Sequence, residues 1–600
     1  MLFSREELLA ALKETKPNNP YTDETRERIL NTPYFQKALA QLKEKNEQTI
    51  DEPLPMQTFS AFEGYFSTGS RSAFVKGYNP PRHRLSYHAL SAWLFDDARA
   101  LRATEDILWA ILNEYSWAPP YHISSGESEE NKRNVALDVV MHDDTYIIDL
   151  QAAETGASVA DCLRMLGDRL HPFLVKRARF ELERRIFVPF LTSRFVWETK
   201  NNNWASVCAS NISLAALWAI EDEERLADIF EKAFSSLEHY LSGFSHDGVC
   251  LEGLGYWNYG FGPYVTLADC LYERTGGVVD LFHFDIVERV AKFYSKCFFK
   301  GQRTVSFADG NTTAGFVSFI HSVLLKHFPE LEIPSEFVNL DLQDDSRLHH
   351  TSRFFLATTE EYAKSSGTTY GTYLFPEAQW YISSSKNGIG LAAKGGHNDE
   401  PHNHNDVGNF QIYKNGEEIL SDLGCGEYTL DYFSPKRYEC FAPSSRSHSL
   451  PIINGKYQCQ GKQCRAENVS MEEGGITLDM ARAYADETLT SLYRTLRFDR
   501  ECGRVVLCDS YTFTEAPSSV TERLISSGTA EILADGIVRI QNGNECMYVL
   551  YDSTSLLARI RIFEDNGRYG EPRKTTAIDF EVKAPQTSFA FSLTIQSENE

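Results

Sequence analysis

Hydrophobic residues recur at helical spacing through about the first 330 residues of the chain. An apolar position every three or four residues is most regular in residues 103–115, 159–192, 212–244 and 285–301. Such spacing places apolar side chains on one face of a helix, which can then pack against other helices. This part is therefore predicted to consist of long amphipathic helices joined by turns with Gly and Pro. At its start, Ser4 and Glu7 have the spacing of a helix-capping box.

Beyond about residue 370 the pattern changes to short runs rich in Val, Ile, Tyr, Phe and Thr. Clear examples are residues 410–422, 491–499, 503–513, 537–543 and 546–553, which Gly-bearing turns separate. Such runs predict a large antiparallel β domain, whose size favours a sandwich over a barrel. We place the boundary in the polar stretch 333–353, with a helical domain at residues 1–345 and a β domain at residues 346–600.

Composition narrows the class of protein. The 600 residues carry a formal net charge of −25 and a pI near 5.2, which argues against binding to nucleic acid or to an anionic membrane. The twelve cysteines form no CxxC pair, so we expect reduced thiols. The first residues lack the apolar core of a signal peptide, and long apolar runs that span a membrane do not occur. The expectation from these features is a cytoplasmic protein.

One Gly- and Asn-rich segment, residues 394–426, holds an unusual number of side chains that bind metals or transfer protons. It contains His397, His402, His404, Asp406 and Asp422. Residues two apart share a face of an extended chain, so His402 and His404 are predicted to point at one site.

A polar break at residues 199–204 precedes the predicted helix that begins near Val207. Asn residues at 201 to 203 disfavour a helix interior and suit a helix start. One interpretation is helix capping, and the other is that these amides donate hydrogen bonds to a ligand carboxylate.

Aromatic residues and glycines are interleaved in residues 247–264, between two predicted helices. The aromatic side chains include Tyr256, Trp257, Tyr259 and Tyr264. A buried aromatic stripe is the structural alternative, although it would follow helical spacing without so much Gly. Because sugar rings stack on aromatic faces and Gly permits close backbone approach, the cluster is interpreted as a carbohydrate groove.

Four blocks of this sequence together resemble the heparinase II/III-like polysaccharide lyases. They are NNNWASVC at 201–208, DGVCLEGLGYWNYG at 247–260, the His-rich block at 395–424, and SSRSHSLPIING at 444–455. The resemblance implies an incomplete (α/α) toroid followed by an antiparallel β-sandwich, with the active site in the cleft between them. It also implies β-elimination across a uronic acid, which leaves an unsaturated uronate end.

The resemblance implies roles for particular residues in this reaction. Asn203, with Asn202 as the alternate, would contact the uronate carboxylate, and His402 would act as a donor or partner base. Tyr259 would act as the base and as an acid toward the leaving oxygen, with Tyr256 as its nearby rival. A free Tyr has a pKa near 10, so the base role requires charge or hydrogen bonds that lower the pKa of the phenol.

The β domain of such lyases can present a further catalytic tyrosine, for which we prefer Tyr432 to Tyr438. Trp204 stands where some relatives carry His, so the role of that His is absent or supplied elsewhere. The candidate substrate-binding residues are Asn202, Trp204, Glu252, Tyr256, Trp257 and Arg437.

The resemblance also implies a metal ion in the β domain, bound by His404, Asp422 and His448. Two imidazoles and a carboxylate suit Zn²⁺. Three protein ligands plus water are typical of a catalytic zinc, whereas the resemblance implies a structural ion that holds the cleft wall. We predict the structural ion, because Asp422 and His448 lie in separate segments that a metal would tie together.

Two other classes of protein would also account for the His-rich segment. A metallohydrolase is suggested by His402, His404 and Asp406, although the HxHxD motif normally continues with His, and here Val407 follows. A non-catalytic carbohydrate-binding protein would keep the aromatic residues and the metal but lack the base.

A glycoside hydrolase built on a helical toroid is a further alternative. It would need two carboxylates that face each other across the sugar. Asp247 with Glu252, or Asp309, are the candidates, although nothing in the sequence requires them to meet.

We expect the substrate partner to be an anionic oligosaccharide or polysaccharide. A glycosaminoglycan such as heparan sulfate, chondroitin or hyaluronan is preferred to alginate, and an imported oligosaccharide is expected for a cytoplasmic enzyme. A homodimer is an assembly compatible with this prediction. Basic residues that would meet such a chain, or that are solvated surface charges instead, are Arg82, His83, Arg84, Lys394, Arg437 and Arg446.

Overall fold

Helices occupy the first part of the chain and strands the second, as the change in hydrophobic pattern predicts. The computed structural model describes residues 3–123, 147–343, 346–429 and 431–598. Its α-helices span Arg5–Glu14, Asp23–Asn31, Gln36–Thr49, Phe59–Thr68, Ser72–Phe95, Ala98–Leu112, Pro120–Ile123, Leu150–Leu166, Pro172–Leu182, Val188–Thr192, Asn203–Ala219, Glu223–Leu241, Leu254–Tyr256, Gly262–Arg274, Asp285–Tyr294, Ser318–His327, Leu348–Ala357 and Glu360–Ala363. In these ranges of residues, none of the helices is both long and apolar enough for a bilayer crossing.

The first helix begins with the predicted capping box. Ser4 Oγ accepts a hydrogen bond from the Glu7 N–H at 3.3 Å, and the Glu7 carboxylate accepts one from the Ser4 N–H at 2.8 Å. These two bonds satisfy backbone donors that a helix start leaves without partners.

One continuous apolar core joins the helices, from Leu8 to Phe355. The helix Asn203–Ala219 lies inside it, because every side chain from Ala205 to Ala216 is buried. A helix that is buried on all faces is held by its neighbours on every side. Its first residue, Asn203, therefore has a fixed position at the edge of the core.

The change from helix to strand occurs between Ala363 and Gly371, later than the predicted boundary after residue 345. The helix Leu348–Ala357 belongs to the helical part, since Leu348 and Phe354 lie in the helical core. His, Thr and Ser side chains in this helix are also buried, which explains why the segment looks polar in the sequence.

The second part of the chain consists of antiparallel sheets. In the described residues, strands β1 to β19 span, in order, Gly371–Phe375, Trp380–Ser384, Ile389–Lys394, His397–Asn398, Phe410–Lys414, Glu417–Leu420, Ile452–Ile453, Gly461–Arg465, Glu467–Glu472, Gly475–Asp479, Leu489–Asp499, Arg504–Phe513, Val520–Ser526, Thr529–Ala534, Ile537–Asn542, Glu545–Tyr551, Leu556–Asn566, Pro572–Val582 and Ser588–Gln596. They form a five-stranded sheet β1-β2-β3-β5-β6, an eight-stranded sheet β14-β15-β16-β19-β12-β11-β10-β9, a four-stranded sheet β17-β18-β13-β7 and the pair β4-β8.

The five-stranded sheet joins the two parts of the fold. Along β2, Trp380 and Ile382 pack in the helical core, while Tyr381 between them packs in the β core. This alternation follows the two-residue period of a strand. Both faces of the sheet are therefore buried, one against helices and the other against the remaining sheets.

The segment between the helices Asp285–Tyr294 and Ser318–His327 also runs along the β part. Ser306 Oγ donates a hydrogen bond to the Asp422 carbonyl at 2.9 Å. A Cβ on Gly253, whose φ is +104°, would lie 3.0 Å from the Cα of Gly310, so a side chain there would prevent this close approach. These contacts bring residues 306–310 to the junction of the two parts.

Candidate functional site

A cleft of about 1040 Å³ opens between the helical part and the β part. Six residues singled out in the sequence line it: Asn203, Trp204, Tyr256, Tyr259, Asp309 and His402. The other side chains that line it include Arg71, Tyr121, His122, Gln151, Asn311, Tyr428, Asp431, Phe433 and Arg568. The cleft thus presents aromatic, amide, imidazole and guanidinium groups to a ligand, and its volume is at the upper end of ordinary ligand sites.

The start of the helix Asn203–Ala219 presents Asn203 to the cleft. Asn202 is the N-cap, and its side-chain oxygen accepts a hydrogen bond from the Trp204 N–H at 3.2 Å. The Asn203 N–H and Nδ2 donate to the two carboxylate oxygens of Glu252, at 3.1 and 2.8 Å. Capping therefore accounts for Asn202, which does not line the cleft as its predicted substrate contact requires, whereas Asn203 does.

Glu252 is buried and does not line the cleft, contrary to its predicted contact with substrate. Burial raises the pKa of this carboxyl, although the charge of His402 and the hydrogen bonds from Asn203 act against the rise. Because its two oxygens hold the amide and the N–H of Asn203, Glu252 is a positioning residue.

Tyr256 and Tyr259 lie three residues apart on a turn that includes the π-helical segment Trp257–Phe261. Residues at this spacing share a face, and both phenols line the cleft. Trp257 is fully buried instead, and its Nε1 donates to the Val290 carbonyl at 2.8 Å. The predicted sugar contact of Trp257 is therefore wrong, because the indole belongs to the helical core.

A glycine in this turn serves the packing of the protein. A Cβ on Gly260 would lie 2.9 Å from Tyr240 Oη and 3.1 Å from the Cβ of Asn203. A side chain at residue 260 would therefore force Tyr240 or the helix start at Asn203 to shift. The absence of a Cβ therefore lets the turn with Tyr259 approach the helix start with Asn203.

The phenol of Tyr259 is not prepared to act as a base in the ligand-free protein. Burial raises the pKa of Tyr259 well above its ordinary value, the charge of Glu154 adds to the rise, and Arg347 opposes it. The lowered pKa that a Tyr base requires is therefore not present. A neutral phenol is suited to give a proton to a leaving oxygen.

His402 enters the cleft from the β part. Its φ of +54° is a left-handed conformation that is uncommon for residues other than Gly. Its Nδ1 lies 2.6 Å from Asp309 Oδ2, and its ring stacks on Tyr256 with centroids 4.3 Å apart. Its Nε2 lies 3.7 Å from Glu252 Oε1, so each ring nitrogen has a carboxylate nearby. Because Asp309 holds Nδ1 at hydrogen-bond distance, Nε2 is the nitrogen left to exchange a proton with a ligand.

Asp309 is the buried carboxylate that organises this side of the cleft. It accepts hydrogen bonds at 2.5–3.2 Å from His402, His404, Tyr428, Tyr432 and Arg437. Burial alone would raise the pKa of Asp309, but the hydrogen bonds from the two histidines and the charge of Arg437 hold it well below its ordinary value. The sequence suggested Asp309 only as a hydrolase carboxylate, since Ala-Asp-Gly in a loop is typical of a turn.

The β part presents Tyr428 to the cleft in place of Tyr432. Tyr432 is only 1% exposed, does not line the cleft, and donates to Asp309 at 2.5 Å. Tyr428 Oη lies 3.2 Å from Asp309 Oδ2 and 2.9 Å from Tyr256 Oη. Of these tyrosines, Tyr428 lines the cleft, whereas Tyr432, which we preferred to Tyr438, lies behind its wall. The signal that could have found Tyr428 is its place just after the His-rich segment, two residues beyond Gly426.

Arg437 also lies behind the wall of the cleft, contrary to its predicted contact with substrate. Its guanidinium donates to the carbonyls of His402, Asn403 and Tyr432 and to the carboxylate of Asp309. These bonds use its donors to hold the loop that carries His402. Arg71 and Arg568 line the cleft instead, and neither stands out in the sequence, where single arginines are common.

The other basic residues predicted to meet an anionic chain lie outside the cleft. Their partners are Glu114 for Arg82, Glu52 for Arg84, Asp406 for Lys394 and the Glu439 carbonyl for Arg446. Neither these four nor His83 is among the residues that line the cleft.

Two alternative enzyme classes lose support from these contacts. The three residues of the HxHxD motif do not converge, because Asp406 is bound to Lys394 at 2.7 Å. Asp247 accepts hydrogen bonds from backbone N–H groups of residues 377 and 378 and does not line the cleft. Since Glu252 does not line it either, Asp309 is the one suggested carboxylate that lines the cleft, and no second one of them faces it there.

His404, Asp422 and His448 form a buried cluster whose ligand atoms lie within 4.8 Å of one another. His404 Nε2 is bonded to Asp309, and His448 Nδ1 lies 3.5 Å from Asp422 Oδ2. Their other ring nitrogens, His404 Nδ1 and His448 Nε2, are buried with no hydrogen-bond partner in the described part of the chain. Buried nitrogens without partners are costly, so the donor set fits a metal ion.

Comparison with known proteins identifies the fold. No family model and no curated protein matches this sequence. A solved heparinase III aligns with a TM-score of 0.62 and 13% identity over 98% of this chain and 94% of its own. Heparan sulfate lyase HepC from Pedobacter heparinus aligns with a TM-score of 0.57 and 13% identity, over 99% and 93%. A mutant chondroitin AC lyase from Streptomyces coelicolor A3 aligns with a TM-score of 0.50 and 10% identity, over 99% and 82%. The predicted architecture is therefore confirmed: the chain has the fold of these structures, an incomplete (α/α) toroid followed by an antiparallel β-sandwich.

Proposed function

We propose that this protein is a polysaccharide lyase that cleaves glycans with uronic acid by β-elimination. The observation that carries the proposal is the meeting of Asn203, Tyr259 and His402 in one cleft, although they come from two parts of the fold. A heparan sulfate lyase and a chondroitin AC lyase share this fold, which supports a uronate glycan as the class of substrate.

The reaction needs three kinds of group around the uronate. Removal of the proton beside the carboxylate builds negative charge on that carboxylate, so a donor must neutralise it. Asn203 supplies an amide donor that Glu252 holds in place. A base then takes the proton, the double bond forms, and the bond to the glycosidic oxygen breaks as an acid protonates that oxygen.

His402 is better suited than Tyr259 to be the base. Asp309 accepts a hydrogen bond from Nδ1 of His402. This bond orients the ring, and the carboxylate would stabilise the imidazolium that forms when Nε2 takes the proton. Tyr259, whose pKa is raised by burial, would donate its phenolic proton to the leaving oxygen. Tyr256, which is hydrogen-bonded to Tyr428, is the second candidate for the acid.

The proposal includes a structural Zn²⁺ held by His404, Asp422 and His448. Two observations support it. His404 Nδ1 and His448 Nε2 are buried and have no hydrogen-bond partner among the described residues, and two imidazoles with one carboxylate are ligands that Zn²⁺ prefers. A bound zinc would supply cross-links between segments of the β part and would hold His404 against Asp309. Metal content of the purified protein, measured by plasma mass spectrometry, tests this assignment.

A glycosaminoglycan oligosaccharide is our first choice of substrate, and alginate the second. The volume of the cleft is sufficient for several sugars. Its cationic side chains, Arg71 and Arg568, favour an anionic chain. A screen of heparan sulfate, chondroitin, hyaluronan and alginate for a new ultraviolet-absorbing unsaturated product tests both the reaction and the substrate.

Variants of the two proton-transfer residues test the mechanism. We expect His402→Ala and Tyr259→Phe each to lower kcat about 10²–10⁴-fold, the usual contribution of a general acid or base. Tyr370→Phe is the matched control, since Tyr370 is 43% exposed and lies outside the cleft. Equal rates of unsaturated product from wild type and Tyr259→Phe would refute the acid role.

A further inference from the structure

Two arginines at the cleft, Arg71 and Arg568, have no anionic partner among the residues that the structure describes. In the ranges that the structure describes, neither guanidinium makes an ion pair or a hydrogen bond. Arg437, which lies behind the same wall, is bound instead to Asp309 at 3.0 Å. Since acidic residues outnumber basic ones in this chain by 25, unpaired arginines at a cleft are an unusual arrangement.

Arg71 comes from the helical part. The helix Phe59–Thr68 ends at Gly69, whose φ of +74° reverses the chain just before the helix that follows Arg71. The guanidinium carbon lies 4.5 Å from the ring centroid of Tyr121 and 5.2 Å from that of Phe433. Aromatic faces hold an arginine without using its N–H groups, which stay available to a ligand.

Arg568 comes from the β part, in the turn that joins β17 and β18. Its guanidinium carbon lies 4.8 Å from the ring centroid of Tyr428. The rings of Tyr428 and Phe433 are neighbours, with centroids 4.9 Å apart. The two arginines therefore rest on one aromatic cluster, from opposite sides of the cleft.

We propose that Arg71 and Arg568 form a second anion-binding subsite, which takes a sulfate or a carboxylate on a sugar next to the reacting uronate. Guanidinium groups bind such planar or tetrahedral oxyanions with paired N–H donors. Tyr428 links this subsite to the reaction centre, because its ring carries Arg568 while its hydroxyl is 2.9 Å from Tyr256 Oη. The inference rests on the proposed function, and it makes a chain with charges on neighbouring sugars the preferred substrate.

Binding measurements test the subsite directly. Arg71→Gln, Arg568→Gln and the double variant are compared in a Tyr259→Phe background, which limits turnover. Arg559→Gln is the matched control, since Arg559 lies on the same hairpin as Arg568, is paired with Glu581 and is absent from the cleft. Thermal melting shows whether each variant is folded.

The probes are a sulfated heparan tetrasaccharide, its unsulfated counterpart and an oligomannuronate, which carries a carboxylate on every sugar. We expect each single variant to raise Kd for the preferred probe about tenfold, which is the effect of losing about 1.4 kcal/mol of binding free energy. Loss confined to the sulfated probe identifies a sulfate as the ligand, and loss confined to the oligomannuronate identifies a carboxylate. If the double variant binds all three probes as the Arg559→Gln control does, the inference is wrong.

The failure of the subsite and the failure of the lyase proposal are distinguishable. Unsaturated product from the wild type, with Kd values that do not respond to Arg71→Gln or Arg568→Gln, rejects the subsite and keeps the reaction. Arg-dependent binding without any unsaturated product rejects the reaction and keeps the subsite.

Discussion

The two walls of the cleft are built in different ways. The helical wall takes Asn203, Tyr256 and Tyr259 from a helix start and a helical turn that pack on one core. The β wall takes His402 and Tyr428 from loops between strands, and these loops are held by hydrogen bonds to Asp309. Asp309 itself belongs to the segment that links two helices. Regular structure places the first wall, whereas one buried carboxylate places the second.

This difference predicts where the site is fragile. On the helical wall Asn203 is held by Glu252 and not by Asp309. Tyr256 is the exception on this wall, since it contacts Tyr428 and His402 of the β wall. On the β wall five donors depend on a single acceptor. Loss of that acceptor should therefore affect several groups together, and the effects of changes there should not be additive.

Asp309→Asn should have the largest effect, because it removes the charge that orients the β wall. We expect kcat/KM for unsaturated product to fall at least about 10³-fold, as for an orienting carboxylate of a catalytic His. Stability should fall by about 3–5 kcal/mol, since Arg437 would keep a largely buried charge without its partner. Steady-state kinetics and denaturant unfolding measure both, and a loss in kcat/KM below tenfold would contradict the role of Asp309.

Removal of metal should weaken the β wall more than the helical wall. If the concentration of free zinc is about 1,000 times the Kd of the site, removal of the zinc lowers the free energy of unfolding by about 4 kcal/mol. Chelator should therefore lower the melting temperature of the wild type and have little effect on His448→Ala, which lacks one ligand. A melting temperature that does not change in the presence of chelator, in protein shown to contain zinc, would contradict the structural assignment.

Gly260→Ala tests the helical wall, where an added methyl group should displace only its neighbours Tyr240 and Asn203. A Cβ at residue 260 would lie 2.9 Å from Tyr240 Oη, and overpacking of this kind costs about 1–3 kcal/mol. We expect lower activity through displacement of Asn203, with binding of metal unchanged. Gly64→Ala is the matched control, because a Cβ there meets nothing within 4 Å. Equal activity of the two variants would show that the turn tolerates the side chain.

Asn202→Ala should have the smallest effect and separates capping from catalysis. Loss of the N-cap bond to Trp204 should cost about 1 kcal/mol of stability. Activity should change little at a temperature where the variant is folded, whereas Asn203→Ala should lower kcat/KM with the same assay. A larger loss of activity in Asn202→Ala than in Asn203→Ala would reverse the two assignments.

Periodicity was enough to predict a helical part followed by an antiparallel β part, whereas the toroid and the roles of the site residues came from the resemblance of four sequence blocks to a known family. The change from helical to strand spacing predicts the two parts, and the capping box at Ser4 forms as its spacing predicts. Helices continue past the predicted boundary at residue 345, because Leu348–Ala357 is a helix whose polar side chains are buried by neighbours distant in sequence. Hydrophobic pattern cannot indicate burial of His, Thr and Ser.

For the site residues, too, local properties of the chain were predictable, whereas contacts between distant segments were not. The Asn, Tyr and His clusters and the two-residue spacing of His402 and His404 can be read from the chain alone, because these are local properties. Folding is needed to bury Trp257 in the core, to place Arg437 and Tyr432 behind the wall, and to bring Tyr428, Arg71 and Arg568 to the cleft. The physical reason is that burial and charge pairing depend on contacts such as Asp309 with His402, which are 93 residues apart.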